Sequence, residues 1–159
     1  MRPLSAWELL NIWEQGLAQP PAQRALTLLA AACPEVSPDE LAQASIGQRD
    51  ACLLTLREWA FGSQLECMAT CPECGERLEV SFKVADIRVE PSIPALATEG
   101  EGEAGDGALA LSAAGYELRC RLPNSQDLIA IGEAEDVTAS RQQLLKRCLL
   151  VARHNGEEA

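Results

Sequence analysis

The chain is short of several things at once. Its 159 residues include one histidine, two methionines and six aromatics, and 13 basic side chains face 24 acidic ones, a formal charge of −11. One histidine excludes a paired-histidine site, and no Gly-x-Ser-x-Gly, P-loop or dinucleotide fingerprint occurs. With so few aromatics, a core must be built mostly from Leu, Ala, Val and Ile. With so few bases, a surface made to neutralise phosphates is not expected, which sets aside duplex nucleic acid and anionic membrane as partners. No run reaches the roughly 18 apolar residues that span a bilayer. Met1-Arg2-Pro3-Leu4-Ser5 leads directly into a helix carrying Glu8 and Glu14, so the apolar stretch of a secretion signal is missing. The expected location is the cytoplasm.

What is present fits one ordinary domain. A chain of this length can hide about 70% of its unfolded surface, and 47% hydrophobic with 23% charged residues is a globular composition. The charge is uneven. Residues 99–106, 133–136 and 157–158 hold four, three and two acids and no base, leaving the remainder close to neutral.

The patterning predicts an α+β chain: an N-terminal helical segment (1–62), a β-hairpin carrying a Cys-x-x-Cys knuckle (63–89), an acidic Gly/Pro-rich loop (90–107), and a second hairpin followed by C-terminal helices (108–159), together one composite domain. Ser5-Ala6-Trp7-Glu8 and Ser37-Pro38-Asp39-Glu40 are capping boxes. They open a first helix to about Leu17 and a short third one, while Pro21 opens a second helix to Cys33-Pro34. A fourth runs from about Gln48 to Phe61, with Gly62 as its stop. From Leu65 the period becomes twofold, as it does again from Leu78 to Lys83 and in the hairpin about Ala114-Gly115. Asn124 or Ser125 caps a short helix through Asp127, Leu128 and Ile131, and a last helix runs from Thr138 to Asn155-Gly156 with Leu144, Leu145, Cys148 and Leu149 as its stripe. Trp7, Leu10, Trp13 and Leu17 share one helical face, a pattern met more often in cores than on docking surfaces.

Seven cysteines in a reducing compartment point to metal binding or buried thiols rather than disulfides. Cys71-Pro72-Glu73-Cys74-Gly75 is the one motif that carries chemistry. Two thiolates on a turn between two strands suit one tetrahedral zinc ion, whereas a redox dithiol would sit at a helix start, where the dipole lowers the thiol pKa. Structural zinc takes four ligands, and one knuckle supplies two. Cys67, Cys120, Cys148 and His154 are the candidates to complete the set. Beside that stands a plainer reading: Cys67, Cys120 and Cys148 on core-facing positions, and His154 as a favourable charge at a helix C-terminus. Cys33 and Cys52, on helices rich in Ala and Leu, are read as core. The carboxylate runs lack the fixed, desolvated setting that tunes a catalytic acid or base, so no enzyme is expected.

Taken in order, several segments resemble a known family. These are Trp13-Glu14 with Arg24-Ala25-Leu26; Ile46-Gly47-Gln48-Arg49-Asp50 leading into Leu53-Leu54-Thr55-Leu56-Arg57-Glu58 and Phe61-Gly62; the knuckle with Glu76-Arg77-Leu78-Glu79; Arg121-Leu122-Pro123-Asn124-Ser125 with Asp127-Leu128; and Leu144-Leu145-Lys146-Arg147-Cys148. The family is that of the T4-type baseplate hub assembly chaperones of contractile-tailed phages and phage-derived contractile injection systems. The resemblance implies a non-catalytic assembly factor or small structural component of the baseplate hub, binding hub, spike or tube-initiator proteins, without a small-molecule substrate, and able to enter the particle. The family pattern continues to a second Cys-Pro-x-Cys knuckle that the sequence up to Ala159 does not contain, so Cys71 and Cys74 are the matching positions. The alternative is a free-standing zinc-knuckle regulator that binds nucleic acid, using Lys83, Arg88, Arg119 and Arg121 as a local basic patch. A thiol redox enzyme at Cys71 and Cys74 is the third reading.

Overall fold

The computed structural model describes residues 1–88, 108–132, 136–155 and 157–158. The expected acidic loop at 90–107 and the acids Glu133 and Glu135 lie outside them. Four capping boxes set the helix starts, each with a side-chain oxygen taking an amide of the first turn and the third residue reaching back. Ser5 and Glu8 open α1 (Ala6–Gly16), Ser37 and Glu40 open α3 (Pro38–Gln43), Ser45 and Gln48 open α4 (Ile46–Phe61), and Asn124 and Asp127 open α6 (Ser125–Ile131). Between α1 and α3, α2 (Pro21–Ala32) starts on a proline at its first position instead. The box at Ser45 places the start of α4 two residues before the expected Gln48. Gly62 stops α4 with a positive φ of 84°, as its position implies.

Strands β1 (Gln64–Thr70) and β2 (Arg77–Lys83) pair antiparallel around the cysteine turn and lead into a single turn of helix, α5 (Val84–Ile87). Val84 is fully buried and its amide donates to Ser63 O at 2.9 Å, which closes the base of the hairpin. A second sheet has the order β3 (Ala108–Ala113), β4 (Tyr116–Arg121), β5 (Leu149–His154), β6 (Glu157–Glu158), antiparallel throughout. Ala114 and Gly115, at φ 52° and 80°, form the two-residue turn of its first hairpin.

The C-terminal expectation needs correction. The last helix, α7 (Val137–Cys148), ends well before Asn155, and Leu149 to His154 is strand β5 rather than further helix. The open edge of β4 takes this segment as its hydrogen-bonding partner, with Leu118 opposite Ala152 and Tyr116 opposite His154, and that long-range pairing overrides a helical stripe read from local spacing. His154 is therefore at a strand end, its ring stacked on Tyr116 with centroids 4.3 Å apart, and not at a helix C-terminus. Asp136, counted among the solvated acids, caps α7 by accepting the Thr138 amide at 2.8 Å.

The core lies around α2. Leu29, Ala32, Cys33, Val36, Leu41 and Cys52 form one buried cluster, with Leu26, Leu53 and Leu56 packed against it. Cys33 and Cys52 are thus the core thiols expected, and burial pushes both thiols up from their ordinary pKa. Helix α6 packs on α2 and α3, which ties the C-terminal part of the chain to the helical unit. Leu29→Ala, at 1% exposure, is predicted to lower unfolding stability by about 2–5 kcal/mol in a urea titration. Leu17→Ala, at 63% exposure, should change it by no more than about 0.5 kcal/mol.

Candidate functional site

Three features compete as the site: the cysteine turn, a buried carboxylate, and a set of uncovered apolar faces.

The cysteine turn is closed by two backbone hydrogen bonds. Cys71 N–H donates to Glu76 O at 2.8 Å and Gly75 N–H to Cys71 O at 2.9 Å, while Gly75 takes a φ of 73° that a side chain would oppose. The amides of Cys74 and Glu73, with the Cys74 thiol, hold the Cys71 thiol below its ordinary pKa. Cys71 is half-buried and Cys74 exposed. The other candidate ligands stand elsewhere. Cys67 is on β1 and exposed, which removes its core reading; Cys120 is half-buried on β4 opposite Leu149; Cys148 is buried at the end of α7. Among the described residues no third Cys, His, Asp or Glu joins the pair.

The carboxylate is Asp127. Its side chain is wholly buried, yet it accepts from Arg121 through both terminal nitrogens at 2.6 and 2.8 Å, from Arg147 Nε at 2.8 Å and from the Asn124 amide at 3.0 Å. Arg121, Arg147 and the capping amide hold it far below the ordinary 3.8 against the opposing effect of burial. Cys148 Sγ lies 4.0 Å from it, and burial followed by that negative charge raises the thiol pKa. One turn away, Ser125 accepts from Arg49 Nη1 at 3.3 Å, Ile46 N–H donates to Pro123 O at 3.0 Å, and Ser45 bridges to Asn124. The sequence segments around Arg49 and around Asn124, about 75 residues apart in the chain, are therefore one structural joint. Among the described residues this is a structural network, its carboxylate shared between two guanidinium groups. Sequence reasoning found Asn124 as a cap but not the role of Asp127; an acid three residues after a capping Asn and six after an Arg was the available signal.

The apolar faces are extensive. Trp7, Leu10 and Trp13 on α1 and Leu17 at its C-cap are 44–69% exposed, which overturns the core reading of that stripe. Beside α1 a groove of about 380 Å³ is walled by Leu4, Leu9, Leu28, Leu53, Leu56 and Phe61. Leu109, Leu111 and Tyr116 are exposed on the β3–β4 hairpin. Of the bases required by the nucleic-acid alternative, Arg121 is committed to Asp127 and Arg88 to Glu58. No helix among the described residues is long and apolar enough to cross a membrane.

The family model described as T4 bacteriophage base plate protein matches residues 11–159. The chain belongs to that family. The matched span covers the joint, the cysteine turn and the second half of α1, with Trp13 inside it and Trp7 and Leu10 outside. No curated protein and no solved structure matches the chain. Large exposed apolar patches commonly mark protein–protein contact sites.

The joint predicts an acid-sensitive fold. A depressed folded-state pKa contributes stability that is present above the unfolded value, about 3.9, and is lost as pH falls below it. Asp127→Asn should cost about 2–4 kcal/mol at pH 7, because Arg121 and Arg147 lose their shared anion but, being partly exposed, can rehydrate. Urea midpoints measured from pH 7 to pH 2 should fall below about pH 4 in the parent and fall less in the variant.

Proposed function

We propose that this base plate protein is a non-catalytic assembly factor or small structural component of the baseplate hub of a contractile phage tail or contractile injection system. It acts by binding hub, spike or tube-initiator proteins. The observation that carries the reading is the outer face of α1, with two tryptophans and two leucines exposed beside an apolar groove. Tryptophan is the residue type most concentrated in binding hot spots, where a few desolvated anchors supply most of the affinity. The occupant we assign is an apolar segment rimmed by basic residues, because a chain of charge −11 steers and selects a positive partner surface. Cys71 and Cys74 are assigned as structural zinc ligands that fix the tip of the β1–β2 hairpin. The family membership supports the baseplate setting, and the joint at Asp127 supports a rigid platform behind the docking face.

Replacing Trp7 and Trp13 together by Ala is predicted to weaken co-purification with a hub, spike or tube-initiator protein by at least about 30-fold, the effect of a loss of 2 kcal/mol or more. The thermal midpoint should stay within a few degrees of the parent. Unchanged binding, or a parent chain that remains monomeric in the presence of all three partner types, would remove this reading.

A further inference from the structure

The second sheet ends in two unlike edges. On one side β6 is two residues long and both are acids, Glu157 and Glu158, a short charged edge of the kind that discourages further strands. On the other side β3 runs for six residues, Ala108 to Ala113, without a charge or a proline. Of the described strands it alone holds no charged side chain. The turn decides which way its backbone points. Ala114-Gly115 is a two-residue loop with both φ positive, so Ala113 and Tyr116 exchange both their hydrogen bonds, as do Leu111 with Leu118 and Leu109 with Cys120. The N–H and C=O groups of Ala110 and Ser112 therefore point away from β4, where among the described residues no strand receives them. Side chains alternate along the same strand: Leu109 and Leu111, 53% and 58% exposed, share one face, and the small Ala110 and Ser112 share the other.

We propose that β3 is a self-association edge. It pairs antiparallel with β3 of a second copy of this chain, Ala110 opposite Ala110 on a twofold axis, joining two four-stranded sheets into one. The occupant must be a strand, because what the edge offers is backbone, and the side chains single out another copy. A twofold axis normal to a sheet sets one residue against itself. With Ala110 on that axis, Leu109 stands opposite Leu111 of the other copy and Leu111 opposite its Leu109, so four exposed leucines meet as two apolar cross-strand pairs. The face of Ala110 and Ser112 brings only small side chains together. The chain's charge of −11 opposes self-association, but this edge carries none of it. Each Arg119, opposite Ala110 on β4, lies three strand spacings from its counterpart, about 14 Å, beyond the screening length of about 8 Å in physiological salt. Because the joined sheet ends in the acidic β6 on both sides, it closes as a dimer and does not grow. This goes beyond the docking of α1, which uses a different element.

The test uses the full chain with a reducing agent. Sedimentation velocity from about 10 μM to about 1 mM should show a monomer–dimer equilibrium without larger species. Amide hydrogen exchange should slow at Ala110 and Ser112 as the dimer fills, and stay constant at Leu109 and Leu111, whose N–H groups already bond to β4. Ala110→Lys puts two like charges directly opposite each other and should weaken the dimer at least about 10-fold, and Ala110→Glu should do the same. Mixed in equal amounts, the two variants should dimerise more tightly than either alone, because opposite charges then meet on the axis. Both should keep the parent's circular dichroism and thermal midpoint, since residue 110 is exposed. A parent that stays monomeric throughout, a dimer indifferent to both substitutions, or a mixture no tighter than its components would overturn the proposal. Slowed exchange at Ala110 and Ser112 only when a hub protein is added would also overturn it, by giving the edge to a foreign strand. The docking of α1 is separable, because Trp7→Ala with Trp13→Ala should dimerise as the parent does.

Discussion

One buried carboxylate organises this molecule. Asp127 sits at the start of α6 with no solvent access, and its charge is tolerable there because two guanidinium groups and a capping amide surround it. Those groups come from β4, from α7 and from the residue that begins α6. The same few residues also meet Ser45, Ile46 and Arg49 at the start of α4. Four elements, α4, β4, α6 and α7, are thereby fixed against one another at a single point, and α6 packs on α2 and α3. Without that joint, the helical unit and the second sheet would be linked mainly by the covalent chain through residues 89–107.

The hydrophobic core is small. Its six-residue cluster is centred on α2, and exposed large apolar side chains outnumber buried ones among the described residues. The hydrophobic effect acts on area removed from water, so a chain with 47% hydrophobic residues that leaves α1, the knuckle ribbon and the β3–β4 hairpin uncovered has much of its driving force still unspent. In a free-standing enzyme this would be a liability. In a base plate protein such uncovered faces are the ones available to neighbouring baseplate proteins.

Much of this was legible in the sequence where local rules decide. Capping boxes at Ser5 and Ser37, the proline at the start of α2, the stop at Gly62 and the turn at Ala114-Gly115 each act within a few residues, and each stands where the sequence places it. The box at Ser45 obeys the same rule and went unread behind Gly47. Long-range decisions were not legible. Leu149 to His154 has a helical stripe by spacing but becomes a strand because β4 offers it an edge. Trp7, Leu10, Trp13 and Leu17 have the pattern of a core face, and no local signal distinguishes a face covered by the same chain from one covered by another. Asp127 was visible as part of a cap, but its burial between Arg121 and Arg147 depends on a helix that follows it by ten residues or more. The cysteine turn was fully legible, because the residues that shape it, Cys71 to Glu76, are contiguous.

The central claim is that the uncovered apolar faces are docking surfaces held in place by the joint. Hydroxyl-radical footprinting of the free chain and of the same chain bound to a baseplate hub partner tests it most directly, since Trp and Leu side chains report their own solvent exposure. The account predicts rapid oxidation of Trp7, Trp13 and Leu17 in the free chain, a several-fold slowing of all three in the complex, and no change at buried Leu29. Equal oxidation of α1 in both states, in a complex shown to be intact, would contradict it.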